Sequence, residues 1–365
     1  MLHGLEGLDR EVKPLFFVSQ KMRTFAQMID VKEQYMQRAL ELAAHGRGNT
    51  SPNPMVGAVV VAPDGRIIGE GYHRRCGQAH AEVNAIASVA DADRHLLGES
   101  TIYVTLEPCS HWGKTPPCAQ LIIDTGIRRV VVGAGDPFKE VAGRGIAMLR
   151  AAGIEVVTGV LAEESRQLNA RFMTAHEQQR PWVTLKWAQS TDGYMDSDRP
   201  EGLPECFSSS LTSTLVHRLR SLHDAIAVGS GTVLADNPRL DCRLWHGRSP
   251  QPIIFDRRKI LNNSDIHTTL PATIISEGSI GAALSTLYRQ GITSLLVEGG
   301  ATLLRAFIDA GAWDIAHVET ARRSLGNHGR CPAPGIDAVP TRTLQVGASA
   351  IAIYSNNPLF NPKNL

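Results

Sequence analysis

The sequence lacks the features that mark membrane, secreted or nucleic-acid-binding proteins. The apolar run Leu15-Phe16-Phe17-Val18 is far shorter than the roughly 18 residues of a membrane span. With 37 basic and 36 acidic residues, the net charge of +1 gives no general attraction to nucleic acid or anionic lipid, and no basic stretch is interleaved with aromatics. Six cysteines in 365 residues, at spacings unlike a disulfide framework, indicate a reducing compartment. We therefore expect a cytoplasmic protein with a small-molecule ligand.

The length and composition predict two domains. A chain of 365 residues exceeds the usual size of one domain, and its 43% hydrophobic residues are enough for two cores. Polar and charged residues dominate from Glu163 to Arg180, and an apolar run follows Pro181. This pattern places the boundary near 175–181. We expect domains at 31–177 and 178–365, preceded by a poorly ordered extension over residues 1–30.

Short apolar runs alternate with helical patterns along the chain. In the first half, a helix is predicted over 31–46, and the runs 56–61 and 66–71 flank the turn sequence Pro63-Asp64-Gly65, which predicts a hairpin. The remaining predicted elements of that half alternate: helices 81–90, 118–125 and 145–152, and strands 102–105, 130–133 and 154–157. Such alternation implies a partly parallel sheet covered by helices on both faces. The second half is predicted to contain helices 211–221 and 301–310 and strands 182–188, 225–229, 253–255, 295–297, 315–318 and 351–354.

A metal site is the strongest functional signal in the first half. His80, Cys109 and Cys118 offer one imidazole and two thiolates, a ligand set typical of zinc with an open fourth position. Cys109 follows a predicted strand, and Cys118 follows two prolines, which suits the opening turn of a helix. An open position favours catalysis. The alternative is a structural zinc, with Cys76, His73 or His111 as the fourth ligand.

Glu82 is predicted to be the catalytic acid and base beside this metal. It lies in the same helical turn as His80 but points elsewhere, so one side chain can bind zinc while the other reaches the outer ligand. Zinc lowers the pKa of a bound water to about 7, which supplies a nucleophile for an aromatic carbon that bears an amino group. Glu82 then carries the proton, as the non-ligand glutamate does in zinc deaminases.

Several motifs in the first half resemble known enzymes. The passages Ser51-Pro-Asn-Pro-Met-Val-Gly57, Gly71-Tyr-His73, His80-Ala-Glu82 and Thr105-Leu-Glu-Pro-Cys-Ser-His-Trp-Gly-Lys-Thr-Pro-Pro-Cys118 are similar to the deaminase half of bifunctional riboflavin-biosynthesis proteins. The broader cytidine-deaminase-like superfamily places its cysteines as Cys-x-x-Cys, whereas eight residues separate the pair here. The resemblance implies a cytidine-deaminase-like α/β/α sandwich. It also implies that Asn53, His73 and Lys114 bind 2,5-diamino-6-(5-phosphoribosylamino)pyrimidin-4(3H)-one.

The second half by itself predicts an α/β domain with anion-binding features. Val297-Glu-Gly-Gly300 ends a predicted strand and opens a helix, so the free amides after Gly299 suit a phosphate. Gly229-Ser-Gly-Thr232 is interpreted as a second glycine turn, and either segment also fits an ordinary tight turn. Because neither is a G-x-G-x-x-G sequence, a Rossmann domain is disfavoured.

Longer passages of the second half are similar to the companion reductase of the same family. They are Thr184-Leu-Lys-Trp-Ala-Gln-Ser-Thr-Asp-Gly193, Asp224-Ala-Ile-Ala-Val-Gly-Ser-Gly-Thr-Val-Leu-Ala-Asp-Asn-Pro238 and Val297-Glu-Gly-Gly300. The resemblance implies a dihydrofolate-reductase-like α/β fold and NADPH as the hydride donor that reduces ribosyl to ribityl. The implied cofactor contacts are Ala188, Thr232, Asp236, Gly300, Ala301 and Thr302. The implied substrate contacts are Lys186, Ser208, Arg220, Leu240, Arg243 and Glu298.

The chain departs from the family pattern in two places. Many relatives carry Trp-Ile-Thr-Ser before the helix, where this chain has Cys206-Phe-Ser-Ser-Ser210, so Ser208 takes the position of the threonine. The stretch 322–334 also differs. The competing hypotheses are a zinc deaminase of another nucleobase with a degenerate, nucleotide-binding second domain, and a binding protein with structural zinc. A homodimer or homotetramer is implied by the resemblance alone.

Overall fold

The structure is a computed structural model that describes residues 33–112, 116–138, 142–199, 205–276 and 278–362. The expected extension at 1–30 lies outside these ranges. None of the helices in the described ranges is both long and apolar enough to cross a membrane.

The first half forms one mixed sheet between helices. In its described residues the strand order is β2-β1-β3-β4-β5, where β1 is antiparallel to β2 and β3, and β3, β4 and β5 are parallel. The strands are β1 Gly57–Val61, β2 Ile67–Tyr72, β3 Thr101–Leu106, β4 Arg129–Ala134 and β5 Glu155–Thr158. The helices are α1 33–44, α2 Ala81–Ala87, α3 Cys118–Thr125, α4 Arg144–Ala151, α5 Ala162–Leu168 and α6 Ala170–Gln178, and a 3₁₀ helix spans Asp91–Glu99. The hairpin, the alternation and the start of α3 at Cys118 confirm the predictions.

The second half forms a larger, mostly parallel sheet. In the described residues its strand order is β10-β9-β8-β11-β6-β12-β15-β14, parallel from β10 to β12 and antiparallel beyond, and β7 and β13 form a separate ribbon. The strands are β6 Trp182–Gln189, β7 Tyr194–Ser197, β8 Ala225–Gly229, β9 Gln251–Phe255, β10 Thr273–Ile275, β11 Ser294–Val297, β12 Ile315–Thr320, β13 Gly329–Pro332, β14 Arg342–Val346 and β15 Ser349–Ser355. The helices are α7 Ser210–Ser221, α8 Ser230–Asp236, α9 Ile280–Arg289 and α10 Ala301–Asp309.

One part of the sequence interpretation was wrong. Gly229-Ser-Gly-Thr232 is not a glycine turn, because α8 begins at Ser230 and continues to Asp236. The polar stretch 163–180, for which no element was predicted, contains α5 and α6. In α6, Met173 and Ala175 are fully buried, so a few apolar residues are enough to hold a helix that is otherwise polar.

Strand alternation separates the cores and leaves one polar face. On β6, Val183, Leu185 and Trp187 pack into the core beneath α9 and α10. The side chains between them point to the opposite face, because successive residues of a strand alternate. Those residues include Lys186 and Ala188, so β6 presents polar chemistry on the face that α7 covers.

The two halves share a buried polar contact at Asp224. Its carboxylate accepts hydrogen bonds from Ser51 Oγ of the first half at 2.5 Å and from Thr293 Oγ1 at 2.7 Å and Ser294 N at 3.0 Å of the second half. Arg248 Nη2 lies 2.9 Å from Oδ1, the carboxylate oxygen that Ser51 also contacts, whereas Thr293 and Ser294 donate to Oδ2. Burial opposes the charge, but these hydrogen bonds outweigh it and hold the pKa of Asp224 below its ordinary value.

Gly71 allows α2 to lie directly on β2, and α2 carries Glu82 at its start. A side-chain carbon at Gly71 would lie 2.3 Å from Ala85 N and 2.6 Å from Ala81 O. We therefore predict that Gly71→Ala lowers the free energy of unfolding by about 1–3 kcal/mol, because the helix must move off the sheet. Urea unfolding measures the change.

Gly98→Ala is the matched control for this prediction. The nearest atom to an added carbon there is Gly126 O at 3.9 Å, so we expect a change within about 0.5 kcal/mol. Equal stability of the two variants would contradict the close-packing argument.

Candidate metal centre and reductase pocket

Three predicted ligands meet at the carboxyl end of β3. His80 precedes the first residue of α2, Cys109 follows β3, and Cys118 opens α3. The Nδ1 atom of His80 lies 3.6 Å from Cys109 Sγ and 3.3 Å from Cys118 Sγ, and all three ligand atoms lie within 4.8 Å of one another. No fourth His, Cys, Asp or Glu ligand joins this cluster among the described residues. The alternative fourth ligands Cys76, His73 and His111 therefore lie outside it.

The chemistry of the three donors fits zinc. One imidazole nitrogen and two sulfurs are the soft and borderline ligands that zinc prefers, and three protein ligands leave a coordination position for a small molecule. A hydrogen bond from Cys118 lowers the pKa of the Cys109 thiol, and the same interaction together with burial raises that of Cys118. The amide of Cys118 also lies 3.3 Å from Cys109 Sγ. This environment stabilises a thiolate, the form that binds metal.

Glu82 lies buried beside the cluster, with 3% of its surface exposed. Burial, and then the charge of Cys109, raises the pKa of Glu82 to about 6. A carboxyl group with a pKa near neutrality can both accept and donate a proton at physiological pH. The side chain is thus in a state that suits proton transfer next to the metal ligands.

Asn53 and His73 lie together at the same site. His73 is 3% exposed, and its ring centroid lies 5.4 Å from that of His80. Its Nδ1 donates to Ala79 O at 3.1 Å, because a carbonyl can only accept, which leaves Nε2 to accept from Asn53 Nδ2 at 3.4 Å. Burial lowers the pKa of His73, which favours this neutral form. Lys114 lies outside the described residues.

Glu107 is an important residue that the sequence interpretation missed. It lies two residues before Cys109, is 5% exposed, and accepts backbone N–H groups from Gly143 at 3.0 Å and Gly145 at 2.9 Å. Longer contacts from Asp136 N and Ile146 N complete the set. Glu107 therefore ties the cysteine loop to the start of α4. The signal was present as the Glu of Thr105-Leu-Glu-Pro-Cys109, but nothing in the motif distinguishes an anchor from a ligand.

The predicted substrate residues of the second half lie on or near the polar face of the larger sheet. Arg220 from α7 binds Glu298 through two bonds, Nε to Oε1 at 2.9 Å and Nη2 to Oε2 at 2.6 Å, and this ion pair is buried. Burial lowers the pKa of the Lys186 ammonium, while Glu298 opposes the shift. Arg243 is half-exposed and forms an ion pair with Asp241. Lys186, Arg220, Arg243 and Glu298 thus bring charged groups to this face of the sheet.

The remaining substrate candidates have different surroundings. Leu240 is 3% exposed, packs into the apolar cluster under β8, and has a φ of 54°, so its backbone is the part available to a ligand. Ser208 donates from Oγ to Glu319 Oε2 at 2.6 Å. Glu319 is buried and belongs to no motif that the sequence interpretation recognised.

The cofactor candidates lie at the carboxyl ends of parallel strands. A side-chain carbon added to Gly300 would lie 3.2 Å from Thr232 Oγ1, so the start of α8 and the turn before α10 are in contact. Gly300 has a φ of 67°, and Ala301 and Thr302 form the first turn of α10, where free amides favour an anion. At the end of α8, Asp236 accepts from Arg199 Nη2 at 2.7 Å. Ala188 lies opposite Glu319 on β12.

The departing stretch 322–334 packs beside the segments on either side of β7. Its strand β13 pairs with β7 in the separate ribbon, and Arg323 donates to Glu205 Oε1, one residue before Cys206, at 2.7 Å. The Asp192 carboxylate accepts from Leu325 N at 3.1 Å and Gly326 N at 2.7 Å. Asp198 and Arg330 add an ion pair across the ribbon. The two departures are thus neighbours in the structure, linked through Glu205 and Arg323.

Comparisons with known proteins match both halves. A family model described as the RibD C-terminal domain matches residues 181–351, and one described as the cytidine and deoxycytidylate deaminase zinc-binding region matches 29–134. The riboflavin biosynthesis protein RibD of Bacillus amyloliquefaciens is 40% identical over 81% of this chain and 86% of its own length. The RibD protein of Escherichia coli is 35% identical over 84% of this chain and 92% of its own.

A solved structure agrees with these matches along most of the chain. It is a diaminohydroxyphosphoribosylaminopyrimidine deaminase/5-amino-6-(5-phosphoribosylamino)uracil reductase from Thermotoga maritima. The similarity has a TM-score of 0.77 at 36% identity and covers 89% of this chain and 99% of that one.

The anchoring of the cysteine loop gives a prediction about metal binding. Glu107→Gln replaces one acceptor oxygen with an NH₂ group that opposes a backbone N–H, so the loop that carries Cys109 loosens. We expect zinc affinity to fall about 10- to 100-fold, the range found when groups that orient metal ligands are changed. Competition with a zinc chelator measures the change.

Glu99→Gln is the control, because Glu99 is an exposed carboxylate in the same half with no hydrogen bond to the loop. Its zinc affinity should match the wild type. An unchanged affinity in Glu107→Gln would show that the loop is held by other contacts.

Proposed function

The chain belongs to the RibD family and is a bifunctional deaminase and reductase of riboflavin biosynthesis, and we propose which of its residues perform each reaction. Zinc serves the deaminase half and NADPH serves the reductase half. We assign deamination to residues 31–177 and reduction to 178–365. The proposed substrate of the deaminase half is 2,5-diamino-6-(5-phosphoribosylamino)pyrimidin-4(3H)-one. The deaminated product is the proposed substrate of the reductase half.

The observation that carries the deaminase assignment is the three-ligand cluster beside a buried Glu82. We propose His80, Cys109 and Cys118 as the zinc ligands. Zinc, when bound, activates a water molecule near neutral pH. Glu82 would carry one proton from the attacking water to the ring nitrogen and a second to the amino group, so that the C–N bond breaks as ammonia leaves and the water oxygen becomes the carbonyl.

Substrate binding in the deaminase site is proposed for Asn53, His73 and Lys114. The neutral, buried His73 and the partly exposed amide of Asn53 offer hydrogen-bonding groups beside the cluster. Lys114 is assigned to the phosphate on the motif alone, since a flexible ammonium suits that charge.

In the reductase site, the chain chiefly positions two molecules. Lys186 and the Arg220–Glu298 pair provide a charged floor, and we propose that they, with Ser208, Arg243 and the backbone of Leu240, orient the sugar phosphate. Hydride transfer depends on placement more than on acid or base strength. The cofactor contacts are proposed to be Ala188, Thr232, Asp236 and the turn from Gly300 through Ala301 to Thr302.

We further propose a cytoplasmic location and a homodimer or homotetramer. The six cysteines, all within the described residues, form no disulfide, which supports a reducing compartment. Light scattering coupled to size-exclusion chromatography tests the oligomeric state.

The division of labour gives a reciprocal prediction. Glu82→Gln keeps the metal ligands but removes the proton carrier, so ammonia release should fall about 10²- to 10⁴-fold while zinc content stays constant. NADPH oxidation on supplied deaminated product should be unchanged. Ammonia release, metal content and NADPH absorbance are measured on the same preparation.

Lys186→Ala is the matched variant for the other half. It should slow NADPH oxidation on the deaminated product and leave ammonia release intact, because its ammonium lies on the reductase face. Undiminished ammonia release by Glu82→Gln would refute the deaminase mechanism. Activity on a different nucleobase, with none on the phosphorylated pyrimidine, would instead support the alternative deaminase.

A further inference from the structure

Glu319 is a buried carboxylate that no assignment above uses. Only 2% of its surface is exposed, and Ser208 Oγ donates to its Oε2 atom at 2.6 Å. Its Oε1 atom is also buried and has no hydrogen-bond partner among the described residues. A buried carboxylate oxygen without a donor is unfavourable, so this atom is suited to a donor from a ligand.

The position of Glu319 is at the ligand end of the sheet. In the parallel pairing of β6 and β12, Glu319 lies opposite Ala188 and His317 lies opposite Lys186. Glu319 therefore faces the same side of the sheet as Lys186, away from the core that contains Trp187. Ligands of open α/β sheets bind beyond the carboxyl ends of the parallel strands, where Glu319 lies.

The surrounding charges distinguish Glu319 from the other carboxylate of the pocket. Both oxygens of Glu298 already bind Arg220. Lys186 interacts with both Glu298 and Glu319, since each carboxylate opposes the fall in its pKa. Among the described residues on this face of the sheet, Glu319 Oε1 is thus the buried carboxylate oxygen that has no hydrogen-bond partner.

We propose that Glu319 Oε1 accepts a hydrogen bond from the carboxamide nitrogen of the NADPH nicotinamide, while Ser208 holds Oε2. This inference rests on the proposed cofactor contact at Ala188, the register neighbour of Glu319. A carboxamide NH₂ offers two donors, and an ionised carboxylate only accepts. The oxidised ring carries a positive charge that the reduced ring lacks, so Glu319 also favours NADP⁺ over NADPH. Glu319 is a positioning residue that biases the pocket toward the product form of the cofactor.

The test is equilibrium binding of both nucleotides to the full-length, zinc-loaded protein by calorimetry. In Glu319→Gln we expect the Kd of NADPH to rise about threefold, because the hydrogen bond to the carboxamide is no longer made to a charged group. The Kd of NADP⁺ should rise about tenfold or more, because the oxidised ring also loses its attraction to the carboxylate charge. Ammonia release should be unchanged, which verifies that the chain is folded.

Glu205→Gln separates a ligand contact from a looser pocket edge. Glu205 lies in the same segment as Ser208 and helps to hold it in place, because Glu205 Oε1 accepts a hydrogen bond from Arg323 Nη1 at 2.7 Å. Replacing Glu205 loosens this segment but leaves the Glu319 carboxylate unchanged. The variant's ratio of NADP⁺ to NADPH affinity should equal that of the wild type. Equal weakening of both nucleotides in both variants, without a change in ratio, would assign Glu319 a purely structural role and overturn the inference.

Two further outcomes are decisive. If Glu319→Gln binds both nucleotides as tightly as the wild type does, the inference fails while the reductase function stands. If the wild type binds neither nucleotide, the reductase function fails first.

Should Glu319→Gln not fold, Ser208→Ala decides the matter, because it keeps the Glu319 carboxylate but removes the hydrogen bond that fixes its orientation. A several-fold weaker NADP⁺ affinity is then expected, and an unchanged affinity overturns the inference.

Discussion

The metal centre depends on one buried carboxylate that does not bind the metal. Glu107 receives backbone amides from the loop before α4 and from the first turn of that helix, and it lies two residues from Cys109. Gly145 makes this approach possible, because a side-chain carbon there would lie 1.9 Å from Pro108 O. The sulfur of Cys109 is thereby fixed against a helix from another part of the chain. Cys118 is held at the start of α3, and His80 is held just before α2. The three ligands, which are distant in sequence, therefore meet at one point.

Much of the first half was predictable because its signals are local. The strands alternate between two cores, so Val130 and Val132 face one cluster while Val131 faces the other. The Pro-Asp-Gly turn sets the hairpin, and consecutive prolines mark the start of α3. What the sequence could not reveal is which polar residue becomes an anchor. Glu107 and Glu82 are both buried glutamates of the same half, and only the three-dimensional contacts separate a carboxylate bound by amides from one beside two sulfurs.

The second half was less predictable because its elements depend on tertiary contacts. Helix α8 is only seven residues long, contains glycine, and is stabilised by the burial of Val233 against β8, so its sequence is indistinguishable from a turn. Strands β7 and β13 exist through their mutual pairing, which no local pattern encodes. The same holds for Glu319: a single glutamate near the end of a strand has no motif, and its importance arises from the partner strand that places Ala188 beside it.

The shared contact at Asp224 has a consequence for how such two-part enzymes can be assembled. Most of the groups that compensate the Asp224 charge belong to its own half, and Ser51 is the donor that the other half contributes. Exchanging the first half for that of a relative therefore keeps this contact only where the new half carries a donor at the position of Ser51. The seam between the halves is in this respect a matched surface, and it constrains which halves can be combined without loss of a hydrogen bond.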